Sequence, residues 1–239
     1  MQNIDENKRR LLIAALSAGV FAAGSMGILR PVWAMGKVPA VLVPGKSIYD
    51  LRGKVKVNGR SATADTLIDS SALIETGDDS HLIFAVGKDA FILRNNSTLQ
   101  LGGKGIISEM KLLSGKLLSV FGNRAAKQTL GIKTVNATIG IRGTGIYIEA
   151  EPEQTYVCTC YGSVEISSLK DANSREVVKT QHHESPRYIL SGEAAGKNIR
   201  VAPMVNHTDD ELALIEALVG RDVPFAISGG YSVPRKSGY

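Results

Sequence analysis

Lys54-Val55-Lys56-Val57-Asn58-Gly59 decides the fold class. Its apolar residues recur with period two, so Val55 and Val57 share one face of an extended strand and the lysines take the other. Asn58-Gly59 follows directly, the pair that best accommodates the two positive φ angles of a tight hairpin turn. A strand, a turn and a returning strand are therefore predicted here. Working outward, residues 82–86, Gly87-Lys88-Asp89 and residues 90–93 repeat the pattern. Leu112-Leu113, Ser114-Gly115 and residues 117–121 suggest a third hairpin, and residues 139–148 and 156–166 add further strands. No stretch of this body, residues 38–190, sustains a helical period. Many short strands at close spacing predict an all-β domain, as an antiparallel sandwich or roll or as a partly solenoidal sheet.

A helical period emerges only in the C-terminal extension, residues 191–227. Thr208-Asp209-Asp210-Glu211 is a capping box, in which Thr208 and Glu211 satisfy each other's backbone donors. Leu212, Ile215 and Val219, flanked by Leu214 and Leu218, form an apolar stripe, and Gly220 suits the C-terminal stop. One short helix over residues 209–219 is predicted. Three turns are too few to be stable alone, so it must dock on something. The tail, residues 228–239, with Gly229-Gly230, Pro234 and Arg235-Lys236, is expected to be disordered.

At the other end, Arg9-Arg10 precedes residues 11–29, which carry no charge, and Val32-Trp33-Ala34 supplies a small-x-small cleavage site. Paired arginines before a moderately apolar, Ala- and Gly-rich core resemble a twin-arginine export signal. Asn7-Lys8 and Leu12 depart from its strict pattern, so ordinary secretion and an uncleaved anchor stay open. Residues 1–34 are read as the export signal, with cleavage after Ala34 and a periplasmic or extracellular location. A membrane is a partner only if the segment stays uncleaved.

Composition narrows the function. The formal net charge is +5, of which the leader contributes +2, and the rest is spread without a long basic run. Nucleic-acid binders concentrate Lys and Arg on one face, so nucleic acid is not an expected partner. Gly-x-Ser-x-Gly, phosphate-loop and His-Glu-x-x-His motifs are missing, and the chain is read as non-catalytic.

Several separated segments, in order, resemble the FecR-domain family: residues 45–57; Leu73-Ile74-Glu75-Thr76-Gly77-Asp78-Asp79-Ser80; Leu93-Arg94-Asn95-Asn96-Ser97-Thr98-Leu99; Leu113-Ser114-Gly115-Lys116-Leu117; and, best, Thr134-Val135-Asn136-Ala137-Thr138-Ile139-Gly140-Ile141-Arg142-Gly143-Thr144. The resemblance covers residues 45–166. It implies an extracytoplasmic all-β module, known in some members as the sensor portion of iron-uptake regulators. Only ten residues precede the apolar segment, so the cytoplasmic anti-sigma region of those regulators is not carried over. Arg142-Gly143-Thr144-Gly145 has the make-up of a ligand loop, but a tight turn between strands needs the same residues, with Arg142 holding carbonyls; the turn is the preferred reading.

Cys158-Thr159-Cys160 holds the chain's two cysteines. In a strand, residues i and i+2 face the same way, with Cα atoms about 6.6 Å apart and parallel Cβ vectors. A disulfide wants Cβ atoms near 3.8 Å apart, so an intramolecular bridge does not fit a regular strand. The Lys170–Ser174 turn returns the chain; pairing Ser168 with Arg175 puts Cys160 opposite His183. Two thiolates and an imidazole suit zinc, copper or iron. His182 and His183 point to opposite faces of a regular strand, so both can bind only if the strand breaks, for which Pro186 provides. Cys158, Cys160, His182 and His183 are thus the candidate metal ligands, against the alternative that the thiols are small core residues. Three readings follow: a non-catalytic module that binds a protein or small ligand of the cell envelope, a metal-binding or redox-sensing protein, and a cysteine-dependent enzyme.

Overall fold

The computed structural model describes residues 40–124, 130–192 and 197–225. Arg9, Arg10 and Ala34 of the export signal, and the tail expected to be disordered, lie outside the described residues. Asn58 and Gly59 both take positive φ (52° and 76°), and they join β2 (Val55–Val57) to β3 (Arg60–Ser61) as predicted. The second hairpin also forms: β5 (His81–Val86) pairs with β6 (Asp89–Leu93) around Gly87-Lys88, with Val86 opposite Asp89. The remaining strands are β1 (Ile48–Arg52), β4 (Leu73–Thr76), β7 (Thr98–Lys104), β8 (Ile106–Val120), β9 (Leu130–Lys133), β10 (Ala137–Ala150), β11 (Gln154–Ser168), β12 (Arg175–Thr180), β13 (Arg187–Leu190) and β14 (Ile199–Val201). One helix follows among the described residues, α1 (Asp209–Leu218).

All fourteen described strands belong to one open sheet, in the order β14-β13-β11-β10-β9-β8-β7-β4-β2-β3, with β12 on β11 and a β1-β5-β6 branch on β8. The all-β expectation with one short C-terminal helix is met; the two separate sheets of a sandwich do not form. Every pairing is antiparallel except that of β8 with β9.

Two predicted turns are instead bends within long strands. β8 continues as one strand past Ser114-Gly115: residues before the glycine pair with β7, and those after it pair with β6 and β10. β10 likewise continues through Arg142-Gly143-Thr144-Gly145, pairing with β9 before it and β8 after it, with register shifts against β11. Arg142 there is exposed. Glycine meets the needs of a bend and of a turn equally, and only the choice of partner strand separates them. Gly115 has a φ of +88°, and a Cβ there would lie 2.1 Å from Ser97 Oγ and 2.5 Å from Ser97 Cα. Gly115→Ala is therefore expected to cost at least about 2 kcal/mol, from left-handed strain alone. The melting temperature should fall by roughly 4–8 °C. An unchanged melting temperature would show that the strand can bend elsewhere.

The main core lies on one face, where Ile74, Leu93, Leu117, Ile146, Ile148 and Val157 pack together. Beyond the bend, β10 and β11 are buried on their other face too, at Tyr147 and Glu149 and at Tyr156, Cys158 and Cys160. Residues 202–208 cover that face. Tyr156 Oη donates to Pro203 O (2.9 Å) and accepts from Val205 N (3.2 Å). Asn206 Nδ2 donates to Glu149 Oε1 (2.6 Å), and the His207 ring stacks on Tyr147 with centroids 4.5 Å apart. The capping box at Thr208 and Glu211 is present as predicted. Leu212, Ile215 and Leu218 are the buried stripe (0, 0 and 1% exposed), while Val219 is the C-cap and only half-buried. Leu218 replaces Val219 because the helix ends there, at Gly220 with φ +72°.

Candidate metal centre

Cys158 and Cys160 sit where β11 loses a partner. Along one edge, β11 pairs with β10 throughout. Along the other, β13 takes residues 154–157 and β12 takes residues 162–167, which leaves residues 158–161 facing a gap. The connection between β12 and β13 fills it. Thr180 Oγ1 donates to Thr159 O (2.7 Å), and His183 N–H donates to Cys160 O (3.0 Å). The predicted register was off by one, since Ser167 and not Ser168 pairs with Arg175, but His183 still arrives beside Cys160. The strand does break after Thr180. His183 takes a left-handed φ of 56°, which lets the adjacent His182 and His183 both reach Asp209.

Three of the four predicted ligands converge. The Cys158 and Cys160 sulfurs, a His183 nitrogen and a His207 nitrogen all lie within 4.8 Å of one another, in four buried residues. Cys158 Sγ is 3.4 Å from His183 Nδ1, and His207 Nε2 is 3.1 Å from that same Nδ1. His182 is the correction. Its Nε2 lies 3.0 Å from each oxygen of Asp209, on the far side of His183 from the sulfurs, and its side chain is 26% exposed. The fourth member is His207, which sequence reasoning missed. One signal was available: the chain has four histidines, and His207 immediately precedes a capping box whose helix had to dock.

Hydrogen bonding assigns the protons. Val205 O can only accept, so His207 Nδ1 (2.7 Å away) carries a hydrogen, and Nε2 is the nitrogen turned to the cluster. Asp209 Oδ1 accepts from His183 Nε2 at 3.1 Å, so Nδ1 is the nitrogen turned to the sulfurs. Burial pushes the Cys158 thiol up, but hydrogen bonds with Cys160, His183 and His207 outweigh it and hold the group well below the ordinary thiol range. Burial and the neighbouring Cys158 push Cys160 well above that range; its Sγ points to Cys158 O at 3.7 Å. Burial opposes charge on His183, but Asp209 and Cys158 together raise it to about 9. Cys158 Sγ, His183 Nδ1 and His207 Nε2 thus face one another at hydrogen-bond distances, with Cys160 Sγ alongside.

Cys158, His183 and Asp209 also stand in the order nucleophile, base, orienting carboxylate. Cys158 is 0% exposed, however. A cleft of about 420 Å³ lies elsewhere, between Lys88, Asp89, Ile106, Gly122 and Arg124; it is lined by neither thiol nor imidazole.

No family model and no curated protein matches this chain. Two crystal structures, at 1.65 and 2.50 Å resolution, of a protein from Parabacteroides distasonis ATCC 8503 provisionally assigned as an anti-sigma factor are similar to it, with a TM-score of 0.43 and 12% identity. The similarity covers 54% of this chain and 57% of that one, so the chain spans little more than half that protein's length. A likeness this slight carries no functional argument.

Proposed function

We propose that this chain is an exported, non-catalytic module of the cell envelope, of the FecR-domain kind, built around a metal centre formed by Cys158, Cys160, His183 and His207. Convergence of two sulfurs and two imidazole nitrogens within 4.8 Å, in four buried residues, carries the reading. A tetrahedral zinc with bonds of about 2.0–2.3 Å has N–N edges near 3.3 Å and S–N edges near 3.6 Å. The corresponding separations here are 3.1 and 3.4 Å. Two thiolates and two neutral imidazoles around a divalent ion sum to zero charge, which a fully buried site favours. Zinc fits this donor set better than copper or iron because four N and S ligands in a closed tetrahedron are its structural preference. A closed set leaves no position for a substrate, which supports a structural or sensing role over catalysis. The motifs quoted above support the FecR-domain reading, and the Arg9-Arg10 leader supports export. The partner is then a protein or small ligand of the envelope.

Purification from the exported fraction tests both parts. Intact mass should place the N-terminus at Met35, and elemental analysis should give one zinc per chain. Metal-free protein with unreactive thiols would overturn the metal centre and leave the cysteines as core packing. Recovery of uncleaved chain only in the cytoplasm would overturn export.

A further inference from the structure

Asp209 does two things at once. It is the first residue of α1, next to the Thr208 cap, and its side chain is 5% exposed. Its Oδ1 accepts from His183 Nε2 at 3.1 Å, and both its oxygens lie 3.0 Å from His182 Nε2. A neutral imidazole carries one N–H, and a carboxylate on Nε2 holds it there, leaving the Nδ1 lone pair for a cation. Such a partner also makes the ligating nitrogen more basic. His207, two residues earlier in the same segment, reaches the cluster from the opposite direction, through Nε2. The helix is thus joined to the cluster twice, by backbone through His207 and by hydrogen bond through Asp209.

Other contacts hold α1 to the sheet without the cluster. Arg94 Nη2 donates to Glu211 Oε1 (2.9 Å) and to Asn206 O (2.8 Å), and Leu212 and Ile215 are fully buried. Leu212 and Ile215 dock the helix body, and Arg94 holds the first turn at Glu211. Asp209 adds a direct tie between that turn, from Thr208 to Glu211, and the cluster.

We infer that Asp209 is a positioning residue for the metal centre, presenting Nδ1 of His183 to the cation through its hydrogen bond at Nε2, and that it thereby couples zinc binding to the docking of the first turn of α1. This rests on the metal reading above. Coupling of this kind is reciprocal: whatever zinc adds to docking, docking adds to zinc affinity.

The test uses the full exported chain. Zinc affinity is measured against a chromophoric chelator for the wild type, Asp209→Ala and Asp210→Ala. The exposed neighbour Asp210 shares the helix N-terminus, so its variant reports loss of helix-terminal charge alone. Asp209→Ala should bind zinc about 10- to 100-fold more weakly, as expected when an outer-shell carboxylate is lost, and Asp210→Ala should match the wild type. Histidine ¹⁵N correlation spectra should show His183 protonated at Nε2 in the zinc-loaded wild type, and that signature should be lost in Asp209→Ala. Amide exchange over residues 209–212 should quicken when zinc is removed from the wild type and should respond less in Asp209→Ala. Equal zinc affinity in Asp209→Ala and wild type would overturn the positioning role. Zinc bound with unaltered exchange over residues 209–212 would overturn the coupling and leave the metal centre standing. Failure of the wild type to bind zinc would overturn the metal centre itself.

Discussion

Cys158→Ser is expected to weaken zinc binding by two to three powers of ten while the sheet stays folded. Structural zinc sites are worth on the order of 10–16 kcal/mol, and one ligand of four accounts for roughly 3–4 kcal/mol of that. At about 1.4 kcal/mol per tenfold, this is the stated loss. Serine nearly matches cysteine in volume, and Cys158 lies on the sheet face opposite Ile146, Ile148 and Val157 of the main core. The cost to the sheet is then that of burying one hydroxyl, about 1–3 kcal/mol. Competition with a chromophoric chelator measures the affinity, and far-ultraviolet circular dichroism checks the fold. A folded serine variant with wild-type affinity would remove Cys158 from the site. A variant that unfolds together with its sheet would show that the thiol was packing.

Ile215→Asp should lower stability by about 4 kcal/mol or more. Ile215 is 0% exposed, at the centre of the helix stripe. Substitution forfeits about 2–3 kcal/mol of apolar burial and places a carboxylate in a fully buried position. Losses above about 4 kcal/mol arise from a short set of causes, a buried charge among them. For a domain of this size the melting temperature should fall by roughly 8–16 °C. Ala213→Asp, at a half-buried position of the same helix, should cost much less. Equal melting temperatures for the two variants would mean that α1 swings out and that its packing on the sheet contributes little.

Legibility differed between elements for physical reasons. Hairpins closed by Asn58-Gly59 and Gly87-Lys88 were readable because positive φ confines the choice of residue at a turn. The helix and its cap were readable because a capping box and an apolar stripe are both local patterns. Gly115 and Gly143 misled for the complementary reason. A left-handed glycine serves a bend as well as a turn, and which one forms depends on Ser97 and on the strands that arrive from elsewhere.

The candidate site divides in the same way. Cys158 and Cys160 on one face follow from the period of a strand, and His183 beside them follows from a short return; both are consequences of chain connectivity over a few residues. His182 was assigned to the sulfurs because it is adjacent in sequence. The left-handed backbone at His183 puts the sulfurs on one side of that ring, and Asp209, with His182, on the other. His207 and Asp209 stand more than forty residues from the cysteines, on a segment whose place is set by Tyr156, Glu149 and Arg94 reaching out to it. Residue types and local periods alone determined that this chain makes a β-sheet, a capped helix and a pair of aligned thiols. Which imidazoles meet those thiols was decided only when the C-terminal segment docked, because that contact is a property of two buried surfaces and of no stretch of sequence taken singly.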